Sequence, residues 1–502
     1  MSHHSNHKNK LTLISLILMI FTSVFGFTNI ARAYYLMGYA AIPFYIVSAL
    51  TFFIPYAFML SEFGAAFRKE RGGIYSWMDK SVGPKYAFIV TFMWYTSYLI
   101  WMVSTSSSIW VPLSNMIFGE DKTSGWSLLG LSAPKTMALF GIILIIIVTF
   151  AASKGLDKIK KITSIGGTFV ALANVVLLVG AVIVLVGNGF KLADPLTASS
   201  LMHSPNPSYQ SPIGLLGFLV FAIFAYGGLE SIGGLVDETE NPEKTFPRGI
   251  KIGAIIIAIG YSLGILCVGI FTSWSGVLDR PTVNMANVGY LVMGNLGYSI
   301  GNALHLSAYT SMELGLWFSR FIGLSMFLAL IGAFFTLTYA PVKQLIEGTP
   351  KELWPAKLIK TDAKTGMPKN AMWVQCFIVV VVIAIASFGG DTATTFLNYL
   401  ILMSNVAMTI PYIFIALAFI WFKKNDSIEK PFVIYKSKKG ATVAVIIVMI
   451  TVTFANIFTI IKPVLESRDY TSTLFQIAGP IIFTIIALLI YRRYENKYLK
   501  NK

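Results

Sequence analysis

Phe224-Ala225-Tyr226-Gly227-Gly228-Leu229-Glu230-Ser231 sets two glycines and a carboxylate inside an apolar run over 213–236. A run of that length crosses a bilayer, because about 20 residues at about 1.5 Å rise cover the hydrocarbon core. Gly233-Gly234 follow the carboxylate. Two readings are open. Small residues allow neighbouring helices to pack closely. Alternatively the helix unwinds there, and its free peptide groups line a cavity instead of facing lipid. Glu230 favours the second reading, since an ionisable group at that depth is costly and normally faces a cavity or a partner. A carboxylate merely bonded to a neighbouring helix is the plainer alternative for Glu230.

Working outward, a matching interruption stands near the beginning of the chain. Phe21-Thr22-Ser23-Val24-Phe25-Gly26-Phe27-Thr28-Asn29 puts Gly26 and four polar side chains in the middle of another apolar run. The apolar runs lie at 11–31, 40–62, 86–117, 136–152, 163–187, 213–236, 252–274, 315–342, 372–388, 393–422, 441–461 and 473–491. Numbered as spans 1–12, they place the two interruptions in spans 1 and 6, five apart. That is the spacing expected when spans 1–5 and 6–10 form two repeats of opposite topology, since an odd repeat length inverts the second copy.

Loop charge checks the span count independently. Arg68, Lys69, Arg71, Lys80 and Lys85 follow span 2, and Lys154, Lys158, Lys160 and Lys161 follow span 4. Comparable basic clusters follow spans 6, 8, 10 and 12, while odd spans are followed by isolated cations such as Arg32, Lys122, Lys191, Arg280 and Arg468. This alternation predicts that the loops after even spans, and both chain ends, are cytoplasmic. An error in the count would put the pattern out of phase. Lys8 and Lys10 before span 1 and Ala31-Arg32-Ala33 after it imitate a cleaved leader. The run is longer than a usual signal core and contains the Gly26 interruption, so it is read as a retained span. The stretch 275–314 is expected to hold one or two short extracellular helices over the pore.

Of the 502 residues, 55% are hydrophobic and 12% charged, which points to lipid as the main solvent. The net charge of +16 therefore marks topology, not a nucleic-acid partner. Cys267 and Cys376 sit in apolar runs without a pairing or zinc spacing. His3, His4, His7, His203 and His305 have no metal-ligand spacing, and no His-Glu-x-x-His, Gly-x-Ser-x-Gly or Walker pattern occurs. A metal, a cofactor and catalysis are accordingly not expected. A membrane enzyme, a sensor and a channel remain the rival classes.

Three segments carry a resemblance. Glu62-Phe-Gly-Ala-Ala-Phe-Arg-Lys-Glu-Arg-Gly72-Gly73-Ile74-Tyr75-Ser76-Trp77, then Gly83-Pro84, is one. Tyr226-Gly-Gly-Leu-Glu230 with Glu238-x-Glu240-Asn241-Pro242-x-Lys244-x-x-Pro247 is the second. Pro341 with the basic stretch to Pro355, Pro368 and Asn370 is the third, and the weakest. Over about residues 10–420 the chain resembles the amino acid–polyamine–organocation (APC) transporters, and within them the bacterial glutamate/γ-aminobutyrate antiporter-like group. The resemblance implies an all-α integral membrane fold: twelve transmembrane helices in a LeuT-like 5+5 inverted repeat plus two accessory helices. Repeat one would cover about 11–187, repeat two about 213–422 and the accessory pair about 441–491. These lie within a transporter domain at 11–492, between cytoplasmic tails at 1–10 and 493–502.

The implied function is secondary active transport of an amino acid or related amine across the cytoplasmic membrane, as an exchanger or proton-coupled symporter. Glutamate/γ-aminobutyrate antiport is the narrower alternative. Backbone around Phe25, Gly26 and Phe27 would hold the substrate carboxylate, and carbonyls over Phe224, Ala225, Tyr226 and Gly227 its ammonium group. Phe224 would lid the site, with Tyr226 as second candidate, and Glu230 would latch a gate or carry the coupling proton. Glu62, Gly72, Gly73, Tyr75, Trp77, Gly83 and Pro84 form the cytoplasmic motif. The sequence departs from the family in having Phe25-Gly26-Phe27 where Gly-Ser/Ala-Gly is usual, and Ser164 in span 5 where some proton-driven members have lysine. The expected partners are a small-molecule substrate, membrane lipid and a proton, with no nucleic acid.

Overall fold

The computed structural model describes residues 10–499. The three histidines at 3, 4 and 7, with Lys8, Lys500 and Lys502, lie outside them. Eleven continuous helical stretches among the described residues are long and apolar enough to cross a membrane. The first, Leu13–Ala66, holds two spans that turn at Gly38. Gly38 has φ +57°, and a β-carbon there would meet the Pro205 ring at 2.9 Å, so both conformation and space require glycine. Twelve spans result. Each extends past its apolar run at one end or both, because helices continue beyond the hydrocarbon region. Span 5 is Leu156–Gly187, span 7 Pro242–Phe271 and span 8 Ala308–Ile346. Span 4 is Ala133–Ala152, long enough to cross without strain.

Five spans are irregular; one of them, span 3, breaks unexpectedly at Ile109, between Pro84–Ser108 and Trp110–Phe118 and three residues before Pro112. Span 1 comprises half-helices 1a, Leu13–Val24, and 1b, Phe27–Met37, and span 6 comprises 6a, Pro212–Phe224, and 6b, the 3₁₀ stretch Leu229–Leu235. Both breaks fall where the glycines predicted them. Two further irregularities were not foreseen. Span 2 has a π turn at Ala49–Phe53, just before Pro55. Span 10 changes register between Asp391–Ala407 and Ile410–Lys424, at Pro411. Proline has no N–H for the helical ladder and crowds the preceding turn, which accounts for both. The Ala31-Arg32-Ala33 segment lies within half-helix 1b, with both alanines fully buried, as befits a packed span.

The connection after span 7 differs from expectation. Trp274–Leu278 forms one turn, Val288–Ala303 forms a single 16-residue helix, and residues 308–314 already belong to span 8.

The basic loops do gather on one face. Leu11 pairs with Thr239, Arg71 bonds Asp237 and Glu347, and Glu62 bonds Lys423. On the opposite face Asp194 accepts hydrogen bonds from Tyr34 (2.5 Å) and from the Trp274 N–H (2.9 Å). The phase of the charge alternation is therefore a property of the folded molecule.

Candidate functional site

The two breaks meet. At the first, Phe25 leaves the helical region at φ −88° and ψ 79° and Gly26 is extended at φ −89° and ψ 115°, which ends half-helix 1a and begins 1b. At the second, Gly228 has φ +110°, open to glycine and costly for other residues. A β-carbon on Gly228 would stand 2.7 Å from the Ser23 carbonyl oxygen, at the end of half-helix 1a. Gly228 thus lets the second break lie directly against the first.

Two tyrosines that sequence reasoning did not select hold the breaks. The Tyr261 hydroxyl of span 7 accepts from the Gly26 N–H (3.1 Å) and the Asn29 amide (3.2 Å). It lies 2.7 Å from the Val24 carbonyl and 3.2 Å from that of Ala225. A hydroxyl has one proton to donate, and the shorter contact is to Val24. The Ala225 carbonyl therefore retains capacity for another donor. Tyr412 of span 10 accepts from the Gly228 N–H at 3.1 Å. A buried tyrosine needs a partner for its hydroxyl, but nothing in a sequence says which peptide group it finds.

Two cavities descend to this junction from the face opposite the basic loops. One, of ≈ 840 Å³, passes span 10 and reaches the turn between spans 11 and 12 at Ser467 and Asp469. The other, of ≈ 500 Å³, runs beside half-helix 1b and reaches Pro112, Ala286 and Tyr290. Both are lined by Thr22, Ser23, Trp101, Phe224, Gly227 and Leu330. Phe224, the last residue of half-helix 6a, thus stands between them.

The remaining expected site residues divide into cavity wall and packing. Peptide groups of Phe25, Gly26 and Phe27 border the smaller cavity, yet the Phe25 ring packs edge-on against Tyr261 at 5.3 Å. Ala225 lines the smaller cavity and Gly227 both. Tyr226 is in neither wall. It is buried, stacks on Phe53 at 4.6 Å and donates to the Tyr45 carbonyl at 3.3 Å. Glu230 is fully buried behind the larger cavity, whose wall includes Tyr98 and Tyr412. Its Oε1 accepts from Trp94 (3.0 Å) and Tyr98 (2.9 Å), neighbours on one face of span 3. Tyr412 is more distant, at 3.4 Å, and Oε2 has no partner among the described residues.

The family model described as amino acid permease matches residues 11–491. The chain belongs to that family. It is a membrane transporter of all-helical, twelve-span construction. The permease is 54% identical over 492 residues to the inner membrane transporter YjeM of Escherichia coli K12, covering 98% of each chain. It is 23% identical to the aspartate/glutamate permease AcaP of Lactococcus lactis subsp. cremoris, over 96% of this chain and 94% of the relative. It is 24% identical to the probable agmatine/putrescine antiporter AguD of Lactococcus lactis subsp. lactis, over 97% and 96%.

The permease is sealed on its basic face, and the motif around Glu62 makes much of the seal. Glu62 is fully buried; Oε2 lies 2.9 Å from Lys423, and Oε1 accepts the Ile434 and Tyr435 N–H groups at 2.7 Å each. Gly73, at φ +49°, leaves room for Gln344, which accepts from the Ile74 N–H at 2.9 Å. Gly72 lies against Gly348 and Trp77 against Gly233 of half-helix 6b; Tyr75 is buried nearby. Gly83, at φ +136°, turns the chain into Pro84, the first residue of span 3. Lys343 binds Asp237 (2.6 Å) and Glu238 (3.3 Å), and Arg71 binds Glu347 (2.9 Å). Burial holds the Glu347 carboxyl above the ordinary glutamate value, with Arg71 opposing the shift.

Proposed function

We propose that this permease carries an amino acid or a closely related amine by alternating access, with the substrate bound where the breaks of spans 1 and 6 meet. One observation carries the reading: opposed, partly unsatisfied peptide groups form the floor of cavities open to one face while the other face is closed by ion pairs. The Phe27 and Thr28 N–H groups that begin half-helix 1b have no acceptor among the described residues, whereas that of Asn29 is taken by the Gly26 carbonyl at 3.0 Å; with the positive end of the helix dipole, the free pair suits a carboxylate. The Ala225 carbonyl, left over by Tyr261, suits an ammonium group. Phe224 would close over the bound molecule from between the two cavities.

The basic face is the cytoplasmic one by the positive-inside rule, so both termini are cytoplasmic and the cavities open outward. Spans 1–5 and 6–10, about 11–187 and 213–422, are read as inverted repeats, with about 441–491 as an accessory pair. Inward opening requires the Glu62, Lys343 and Arg71 contacts to part. Among the described residues Glu230 has spare acceptor capacity at Oε2 and no basic partner, and it lies one layer behind the cavity. It would take up a coupling proton or tie half-helix 6b to span 3, without touching substrate. The relatives' names include both acids and diamines, so they leave the substrate's charge open.

Counterflow in proteoliposomes against an amino-acid and polyamine panel, with and without a pH gradient, tests the reading. Saturable exchange of at least one such compound is expected. Absence of stimulation by every member would overturn it.

A further inference from the structure

Among the described residues Arg32 is the only charged one lining the ≈ 500 Å³ cavity. It lies on half-helix 1b, six residues beyond Gly26 and so about 9 Å further along the axis. Side chains on a helix lean toward its N-terminus, which brings the guanidinium back toward the break. The group is partly buried, and of its five N–H donors only Nε has a partner among the described residues, the Met285 carbonyl at 2.7 Å. It makes no ion pair among them. Tyr290 shares its cavity wall, and among the described residues no carboxylate does.

Arg320 of span 8 also has no acidic partner among the described residues, but its guanidinium lies over the Trp317 ring at 4.9 Å and lines neither cavity, so Arg32 is the unpaired cation of the site. Arg68, Arg71, Lys343 and Lys423 each have an acidic partner. In the larger cavity Lys462 stands 3.7 Å from Glu466, and Asp469 lies on the same wall. A cation without a counter-ion inside a membrane helix is expensive and normally marks a substrate or ion pathway. The planar fork of arginine also suits a carboxylate bidentately.

We infer that Arg32 receives a second carboxylate on the substrate, so that the transported class is an acidic, dicarboxylic amino acid. The inference rests on the proposed amino-acid site at the breaks. The α-carboxylate would meet the N–H groups beginning half-helix 1b, and the side-chain carboxylate would extend along the cavity to Arg32. The bond to Met285 would keep the guanidinium oriented while its remaining donors face the cavity.

The test compares uptake of L-glutamate with L-glutamine, and of L-aspartate with L-asparagine, in wild type, Arg32→Gln and Arg32→Lys. Wild type should favour the acids. Loss of a charged hydrogen-bonded contact should reduce the acid-to-amide ratio about tenfold to a hundredfold in Arg32→Gln, and Arg32→Lys should restore part of it. A common fall in both rates with an unchanged ratio would reduce Arg32 to a strut for the Met285 segment and overturn the inference. Wild-type preference for the amides, or for some other neutral amino acid, would overturn the inference while leaving amino-acid transport standing. Failure of every amino acid to move would remove the transport reading itself, and the inference with it.

Discussion

Replacing Gly228 by alanine should damage the protein itself, whereas the same replacement at Gly26 should damage only what the protein binds. At Gly228 two costs combine. A non-glycine residue at φ +110° is strained by about 1–3 kcal/mol. The added β-carbon would lie 2.7 Å from the Ser23 carbonyl oxygen, several tenths of an ångström inside ordinary contact, and the obstacle is backbone at the end of half-helix 1a. Overpacking of this kind costs about another 1–3 kcal/mol. The total, about 2–6 kcal/mol, is enough to force the breaks apart. At Gly26 φ is −89°, and the nearest atoms to a β-carbon are the Asn29 amide nitrogen at 3.5 Å and the Thr28 hydroxyl at 3.6 Å, both ordinary contacts. Thermal melting of the purified proteins in one detergent separates the cases. Gly228→Ala should melt well below wild type and transport poorly; Gly26→Ala should melt as wild type while its KM rises. Wild-type melting and transport in Gly228→Ala would refute the junction geometry, and an unchanged KM in Gly26→Ala would refute substrate contact there.

Three further outcomes follow from named contacts. Phe224→Ala should release substrate faster, seen as a raised KM and shortened occupancy in counterflow, since the ring stands between both cavities; unchanged kinetics would remove its role as lid. Lys423→Met should lose about 3–5 kcal/mol by stranding the buried Glu62 carboxylate, and the double replacement with Glu62→Gln should recover much of the lost melting temperature. Equal instability of single and double variants would contradict this. At Glu347 the sealed face raises the pKa above 4.5, and an opened face would return it toward that value. Protonation therefore favours the sealed form, an advantage fully present at low pH and lost as pH rises from about 4.5 through the raised value. Thiol labelling of a cysteine placed at Ser231, from the basic side, should increase over that window and become flat in Glu347→Gln; the opposite slope would contradict the assignment.

Much of the architecture was legible because lipid leaves few alternatives. Backbone that cannot reach water must form helices, so apolar length gives spans and lysine placement gives phase. The breaks were legible because Gly26 and Gly227-Gly228 interrupt otherwise uniform runs, and Glu230 has no inexpensive place in lipid. What sequence could not supply was pairing across distance. Tyr261 and Tyr412 look like ordinary aromatic span residues until their hydroxyls are found on the backbone of other helices. Tyr226 shares a motif with the site yet its ring turns away toward Phe53, because it stands in the turn that follows the end of half-helix 6a at Phe224. Arg32 read as one isolated loop cation among several; only its position in the cavity wall, without a counter-ion, distinguishes it. The helix over 288–303 was only half visible, since its glycines and asparagines weaken the apolar pattern.

Equilibrium binding to the purified protein decides whether substrate is held between the two breaks. A radiolabelled compound that supports counterflow would be titrated onto wild type and Gly26→Leu in detergent, with melting curves recorded for both. Saturable binding by wild type and about hundredfold weaker binding by a normally melting Gly26→Leu are expected, because the leucine side chain would fill the space beside the half-helix 1b N–H groups. Wild-type affinity in that variant would place the substrate elsewhere and contradict the account.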